Sequence, residues 1–300
     1  MSPATTSPCP YCGEASRRIF TASDWNQRTS PNQFAYLSCK KCSLIFIEQI
    51  PSDLSSYYRN EQYDIPPDLN SFRGRADSQQ WKVDLLKTLC PGGDLFEVGP
   101  ATGEFAFAAR AEGFRPRLAE MDVHCSAFLR DVLGFEVINT DNPVEALAPG
   151  DKYAAICVWQ AIEHIPEFWR FLDRAAGRLA TDGVLVVSTP NPKSVQAKLL
   201  GRFWPHIDAP RHLYLIPRPW FGSFASRHNL AVVLNTTRDV GSRGLNYYGW
   251  YLAVRNLVRD KLSDSKIRAL AGRITALLRP FEGAEDCGCS YTIAFRKNKR

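Results

Sequence analysis

The sequence lacks a long apolar run, and no apolar stretch approaches the roughly 18 residues that a membrane-spanning helix needs. The N-terminal residues also lack the apolar core of a secretory signal peptide. No internal repeat is present. We therefore expect a cytoplasmic protein without a transmembrane segment.

The sequence also has little excess charge: 37 Lys and Arg against 31 Asp and Glu give a net charge of +6 over 300 residues. RNA-binding proteins are usually more basic, with their charge clustered. The balance permits an anionic substrate but does not favour nucleic acid. The length allows one large domain with an appendage, or two domains.

Cysteine, by contrast, is frequent, with nine residues. In a reducing compartment this number argues against a disulfide framework and indicates metal. Cys9 and Cys12 form one C-x-x-C pair, and Cys39 and Cys42 form a second, with residues 13–38 between them. Two such pairs complete a closed tetrahedral site for Zn²⁺. We predict an N-terminal four-cysteine zinc ribbon with a structural metal, built on a hairpin of residues 34–37 and 44–47; chance cysteines or a redox pair are the alternatives.

Residues 94–105 predict a strand, a glycine-bearing turn and a helix, which is how a nucleotide-binding α/β domain begins. Gly99 and Gly103 leave room for a ligand against the backbone, and the helix that follows points amide N–H groups towards it. Glu97 occupies the strand end. A carboxylate there suits an ammonium group and repels the pyrophosphate of a dinucleotide, so a dinucleotide fingerprint is not predicted.

A second short strand, 117–120, ends in Glu120, about 20 residues after the glycine turn. A carboxylate in that place can accept both ribose hydroxyls of a nucleoside. Asp141 follows the next strand, 135–138, and is either a second ligand residue or part of a turn.

Strands and helices continue to alternate, which predicts an α/β fold with a doubly wound sheet. The other predicted strands are 153–159, 184–188, 231–237 and 290–295, and the predicted helices are 71–89, 103–112, 126–133, 168–179 and 218–228. Residues 241–249 are expected to form a loop, followed by two amphipathic helices, the second opening at residues 263–264 and ending at Pro280.

Four motifs together resemble class I S-adenosylmethionine-dependent methyltransferases of small molecules, over about residues 92–237. They are E-x-G-x-x-x-G at residues 97–103, E-H-I-P after the fourth strand, D-G-x-L-x-x-S-T-P-N around the fifth, and P-R-H-L at residues 210–213. The resemblance implies a Rossmann-like, seven-stranded sheet and S-adenosylmethionine as the cofactor. The residues that it implies for cofactor binding are Glu97, Gly99, Pro100, Ala101, Gly103, Glu120, Met121, Asp141 and Trp159.

In related enzymes a histidine at the position of His212 faces the substrate, and in sugar C-methyltransferases with an N-terminal zinc region it is the base. The resemblance therefore implies His212 as the catalytic base, with His164 as base or orienting residue and Glu163 beside it. Small-RNA 2′-O-methyltransferases hold Mg²⁺ with E-x-x-E-H, but this chain has Gln160 at the first position. Because a lost carboxylate weakens a hard-cation site, we do not expect a catalytic divalent metal.

These inferences predict three regions: a zinc ribbon at 1–50, a connector with a lead-in helix at 51–91, and a methyltransferase domain at 92–300 with a helical insertion at 241–286. Tyr57, Tyr58 and Tyr63 either cover a domain junction or gate the substrate. The insertion packs on the core or in a homodimer, closes over the acceptor, or contacts lipid. We expect methyl transfer to a hydroxyl of a sugar or secondary metabolite; a sugar C-methyltransferase, an RNA methyltransferase and a binding protein without catalysis are the alternatives.

Overall fold

The structure is a computed structural model that describes residues 7–58, 63–259 and 261–298. The chain divides into two compact units. The first contains the described residues of 1–59, 189–223 and 235–292, and the second contains those of 60–188, 224–234 and 293–300. Across the described residues, every helix is too short or too polar to span a membrane.

Eleven strands and ten α-helices are formed by the described residues. The strands are β1 (Ser16–Ser23), β2 (Gln33–Cys39), β3 (Ile45–Ile47), β4 (Gly93–Val98), β5 (Phe114–Glu120), β6 (Glu136–Asn139), β7 (Tyr153–Trp159), β8 (Leu179–Pro190), β9 (Tyr214–Leu215), β10 (Leu230–Thr236) and β11 (Ser290–Lys297). The helices are α1 (Leu69–Asp77), α2 (Gln80–Leu89), α3 (Glu104–Ala111), α4 (Val123–Ala127), α5 (Pro143–Ala146), α6 (Phe168–Arg178), α7 (Val195–Leu200), α8 (Arg218–Arg227), α9 (Val240–Val258) and α10 (Asp264–Glu282).

The first unit contains a four-stranded sheet in the order β1-β2-β3-β9. Its strand pairs are antiparallel, and the pairing of β2 with β3 confirms the predicted hairpin around the second cysteine pair. Strand β9 brings the chain back to this sheet from the segment that carries the P-R-H-L motif. The N-terminal strands therefore fold together with residues that lie more than 160 positions further along the chain.

A seven-stranded sheet has the order β10-β11-β8-β7-β4-β5-β6, and its strands β7, β4, β5 and β6 lie entirely in the second unit. Neighbouring strands among β4 to β8 run parallel. The residues of β7 and of the second half of β8 are almost all buried, as expected for central strands with both faces covered. This sheet confirms the predicted seven-stranded α/β fold, and it aligns the carboxyl ends of β4, β5 and β7 at one edge.

The predicted helix 71–89 is two helices, α1 and α2, separated at Ser78 and Gln79. The hydroxyl of Ser78 donates to the carbonyl of Arg75, and the amide of Gln79 donates to the carbonyl of Ala76. These short-range bonds close the last turn of α1 and replace the bonds that would continue the helix.

The predicted loop at 241–249 is wrong, because these residues form the first half of α9. Asp239 caps the helix by accepting the amide of Ser242 at 2.6 Å. A Cβ at Gly249 would lie 2.2 Å from Oε1 of Gln196, so this glycine serves close packing and not a turn. The second helix passes through Pro280 and ends at Glu282.

Candidate active site

The carboxylate of Glu97 lies at the end of β4 and is only 3% exposed. Its Oε2 has no hydrogen-bond partner within the described part of the chain. Burial raises the pKa of Glu97 to about 8, the nearby Lys82 ammonium opposes this shift, and the carboxylates of Glu104 and Glu120 add to it. A buried carboxylate without a hydrogen-bond partner is costly, so a further cationic group beside Glu97 would stabilise its ionised form.

The turn that follows Glu97 is tight and requires its glycines. Gly99 has φ +66 and Gly103 has φ +87, a region that residues with a Cβ rarely occupy. A Cβ on Gly103 would also lie 2.3 Å from Cδ2 of the buried Leu129. Ala101 between them also has positive φ, at 53. The turn thus keeps its backbone open to a ligand and begins α3 directly at Glu104.

Glu120 closes β5 and is held by backbone amides on both oxygens. Its Oε2 accepts the amide of Ala101 at 2.9 Å, and its Oε1 accepts the amide of Asp122 at 2.8 Å. Burial raises the pKa of Glu120, although the amide hydrogen bonds lower it in part. Each carboxylate oxygen has further lone pairs, so the side chain is fixed in place while it can still accept hydroxyl donors.

The remaining predicted cofactor residues lie at the same strand ends of the second unit. Pro100 is in the glycine turn, where its carbonyl accepts the amide of Gly103 at 2.9 Å. Met121 is 50% exposed immediately after β5, and Asp141 is exposed between β6 and α5. Trp159 ends β7 and is 7% exposed.

The sequence analysis did not identify Lys82 on α2 as a charged neighbour of Glu97 and Trp159. Its ammonium lies 5.2 Å from the ring centroid of Trp159, a cation–π distance, and its charge lowers the pKa of Glu97. The only signal in the sequence is one lysine on an amphipathic helix, which by itself is typical of an exposed surface position.

The E-H-I-P segment follows β7 in the second unit. Glu163 is fully buried and His164 is half-buried, both in the 3₁₀ turn Ile162–His164. The side chain of Gln160 donates to the hydroxyl of Ser188 at 2.7 Å. This amide therefore binds the neighbouring strand β8.

His212 belongs to the first unit, and its side chain is 9% exposed. Its Nδ1 lies 2.8 Å from the carbonyl oxygen of His206, and its own carbonyl accepts the hydroxyl of Tyr36 at 2.8 Å. Because His164 and Glu163 belong to the second unit, the joint action of the three residues stays a prediction.

The structure brings the four predicted cysteines together, with their sulfur atoms all within 4.8 Å of one another. The Sγ–Sγ distances are 3.7 Å for Cys9–Cys42, 3.5 Å for Cys12–Cys39 and 3.8 Å for Cys12–Cys42. A tetrahedral zinc ion with Zn–S bonds of about 2.3 Å requires sulfur atoms about 3.8 Å apart. The sulfur arrangement therefore fits a closed four-thiolate site.

The two cysteine pairs also have the same backbone geometry. The amide of Cys9 donates to the carbonyl of Glu14 and that of Cys39 to the carbonyl of Leu44. In each C-x-x-C pair, the fourth residue after the first cysteine is Gly13 or Ser43. This residue has positive φ, and its amide donates to the carbonyl of that first cysteine. This repeated turn arranges the sulfur atoms of each pair in the same way.

Comparisons with known proteins agree with this fold. The family described as "Methyltransferase domain" matches residues 72–235. No curated protein matches significantly. Among solved structures, the chain is similar to a SAM-dependent methyltransferase from Archaeoglobus fulgidus, with 15% identity and a TM-score of 0.52, covering 76% of this chain and 97% of that one. It is also similar to a protein provisionally assigned as a sarcosine dimethylglycine methyltransferase from Galdieria sulphuraria, with 14% identity and a TM-score of 0.51, covering 79% and 94%.

Proposed function

The chain belongs to the methyltransferase family that it matches over residues 72–235, and on this basis we propose that it transfers the methyl group of S-adenosylmethionine to a hydroxyl of a small molecule. A sugar or a secondary metabolite is the proposed acceptor. The observation that carries the cofactor assignment is the buried Oε2 of Glu97, which lacks a partner among the described residues.

S-adenosylmethionine supplies a methyl group on a positively charged sulfur, which is a good leaving group. The residues of the second unit fit the rest of this molecule. Glu97 would accept the ammonium of its amino-acid tail, and Glu120 would accept the ribose hydroxyls. Gly99 and Gly103 would let the nucleoside approach the backbone. Pro100, Ala101, Met121, Asp141 and Trp159 complete the proposed cofactor site.

A hydroxyl acceptor must lose its proton during methyl transfer, so the reaction needs a base as well as correct positioning. We assign the base to His212, because imidazole titrates near neutral pH and the backbone around its ring is well fixed. His164 is proposed as a second base or an orienting residue, and Glu163 as its carboxylate neighbour in the chain.

The four cysteines of the N-terminal sheet are proposed to hold a structural Zn²⁺. Four thiolates leave no coordination position for substrate, so the metal would stabilise the turns before β1 and after β2 without taking part in methyl transfer. The sulfur distances and the backbone turn that the two cysteine pairs share support this assignment.

The test combines a search for the acceptor with two variants. Incubation of a metabolite extract with enzyme and S-adenosylmethionine should produce a compound that has gained one methyl group in place of hydrogen, detected by mass spectrometry. Proton NMR of the product separates O-methyl from C-methyl. His212→Ala should lose turnover while keeping cofactor affinity, and His228→Ala, a control whose ring contacts Asp173 at 2.7 Å, should keep both. Wild-type turnover in His212→Ala would refute the assignment of His212 as the base.

A further inference from the structure

Arg211, the residue before His212, is an almost fully buried cation, with 1% of its side chain exposed. Its Nη2 donates to Oδ1 of Asp24 at 2.6 Å, and its Nε and Nη2 bind the two carboxylate oxygens of Asp208 at 2.9 and 2.8 Å. Its Nη1 donates to the carbonyl of Tyr57 at 3.0 Å. Asp24 directly follows β1, so the N-terminal sheet contributes a charged partner to the segment that carries the proposed base.

The turn after β1 makes a second connection through Asn26. Its amide Nδ2 donates to the carbonyl of Pro205 and to Oδ1 of Asp208, both at 2.7 Å. Asp24 is itself fixed, because its carboxylate accepts the amide and the hydroxyl of Thr29. The turn is therefore internally hydrogen-bonded, and it contacts residues 205–211 at several points.

The ion pairs around Arg211 remain charged at neutral pH. Burial alone would raise the pKa of Asp208, but the hydrogen bonds and the charge of Arg211 bring it well below its usual range. The pKa of Asp24 is lowered for the same reason. Buried ionic groups of this kind are a weak source of net stability, but they can specify one arrangement of the chain.

The contacts of His212 show what this arrangement determines. A carbonyl oxygen only accepts hydrogen bonds, so the Nδ1 of His212 that contacts the carbonyl of His206 must carry the proton. In the neutral ring, Nε2 is then the acceptor nitrogen. The backbone of His212 is held on both sides: its carbonyl accepts a hydrogen bond from the Tyr36 hydroxyl, and its amide donates one to the carbonyl of Asp208 at 3.2 Å.

We propose that Asp24 and Tyr36 are positioning residues for His212. Asp24 acts through Arg211, and Tyr36 acts through the backbone carbonyl of His212. Together they keep the ring in the tautomer that has Nε2 as the proton acceptor. The proposal rests on the proposed role of His212 as base. It gives the N-terminal cysteine-bearing sheet a function in catalysis, as the scaffold of the base.

The direct test observes the ring, so it does not depend on knowing the acceptor. Proton–nitrogen correlation NMR on enzyme with isotope-labelled histidine reports the tautomer of each ring, and the sequence has only five histidines. His212→Asn assigns the signal by removing it. Wild type should show His212 protonated at Nδ1. Asp24→Asn and Tyr36→Phe should each shift the signal towards a mixture of the two tautomers.

The control is Asp151→Asn, which removes a carboxylate that accepts from Arg117 at 2.6 Å in the other unit, and it should leave the His212 signal unchanged. Tyr36→Phe deletes a single oxygen atom, so it keeps the test decisive if Asp24→Asn fails to fold. The proposal would be overturned if His212 stayed protonated at Nδ1, as in wild type, in Tyr36→Phe and in Asp24→Asn where that variant folds.

Turnover separates this proposal from the proposed function. With an acceptor in hand, Asp24→Asn and Tyr36→Phe should lower kcat by about 10- to 100-fold without changing the Kd for S-adenosylmethionine, because misplacing a catalytic group has effects of that size. If His212→Ala keeps turnover, the base assignment fails, and the positioning proposal with it. If His212→Ala loses turnover while both positioning variants keep wild-type kcat, only the positioning proposal fails.

Discussion

The backbone amide of Ala101 donates a hydrogen bond to Oε2 of Glu120 at 2.9 Å. This bond joins the glycine turn after β4 to the carboxylate that closes β5. The two strands are paired in parallel, with Val98 opposite Ala119, so the turn and the carboxylate come from adjacent strand ends. The bond holds together the two halves of the proposed cofactor site.

Glu120→Gln should weaken binding of S-adenosylmethionine by roughly 10- to 100-fold, because a hydrogen bond to a charged group contributes about 1.5–3 kcal/mol. Isothermal titration calorimetry measures the change. Glu136→Gln is the matched control, since Glu136 is 65% exposed and binds Arg117 on the neighbouring strand. Equal affinities for the two variants would contradict the role of Glu120.

Glu97 should make the stability of the ligand-free enzyme decrease with rising pH. Its pKa is raised from 4.5 to about 8, so between these values the folded state keeps a proton that the unfolded state has lost. Stability falls with pH wherever the folded state binds more protons. The glutamine in Glu97→Gln cannot titrate. The melting temperature of the variant minus that of wild type should therefore increase as the pH goes from 5 to about 8. A constant difference across this window would show that the carboxylate is not held neutral.

The same group should release a proton when the cofactor binds. At pH 7 the buried Glu97 is largely protonated, whereas an ammonium group beside it favours the ionised form. The binding enthalpy should therefore depend on the ionisation enthalpy of the buffer in wild type, and this dependence should be smaller in Glu97→Gln. Identical buffer dependence in the two proteins would exclude contact between Glu97 and the ammonium.

Gly103→Ala and Gly113→Ala separate backbone strain from packing. Both glycines have positive φ, +87 and +91, but only the Cβ added at Gly103 meets another atom, Cδ2 of Leu129. Gly113→Ala should lose about 1–2 kcal/mol of unfolding free energy from backbone strain. Gly103→Ala should lose about 1–3 kcal/mol more, because Leu129 is buried and cannot move freely. Urea unfolding tests this, and equal losses would contradict the close approach.

Metal analysis tests the four-cysteine site. The purified protein should contain one zinc ion per chain, Cys39→Ser should lose it, and Cys287→Ser, a half-buried cysteine outside the cluster, should retain it. Loss of a structural zinc should also lower the melting temperature, because binding of the metal contributes to folding. A metal-free wild-type protein with the same stability as Cys39→Ser would refute the zinc site.

The positions of the sheet strands along the chain and their acidic ends could be predicted because these signals are local. β4 and β7 each show a short apolar run, and β5 has Leu118 and Ala119 before its terminal acid. Glu97, Glu120 and the cysteine pairs occupy positions that follow from spacing. The first half of α9 was missed for the opposite reason. Its glycines are typical of a loop, and only the close approach of the Gly249 backbone to the Gln196 side chain shows that this glycine serves packing.

The environment of His212 could not be predicted, because it depends on partners far away in the sequence. Arg211 and Asp24 are 187 positions apart, and Tyr36 is 176 positions from His212. The unpaired state of Glu97 was likewise outside the reach of sequence patterns, since it depends on every neighbour that burial brings to the carboxylate. The domain boundaries proposed after residues 50 and 91 remain predictions.

The most direct test of the cofactor site is a crystal structure of the enzyme with S-adenosylhomocysteine. We expect the amino group of the ligand within hydrogen-bond distance of Glu97 and both ribose hydroxyls on Glu120, with the sulfur atom between these two contacts. A ligand bound elsewhere, or in the opposite direction with its ribose towards Glu97, would contradict the account.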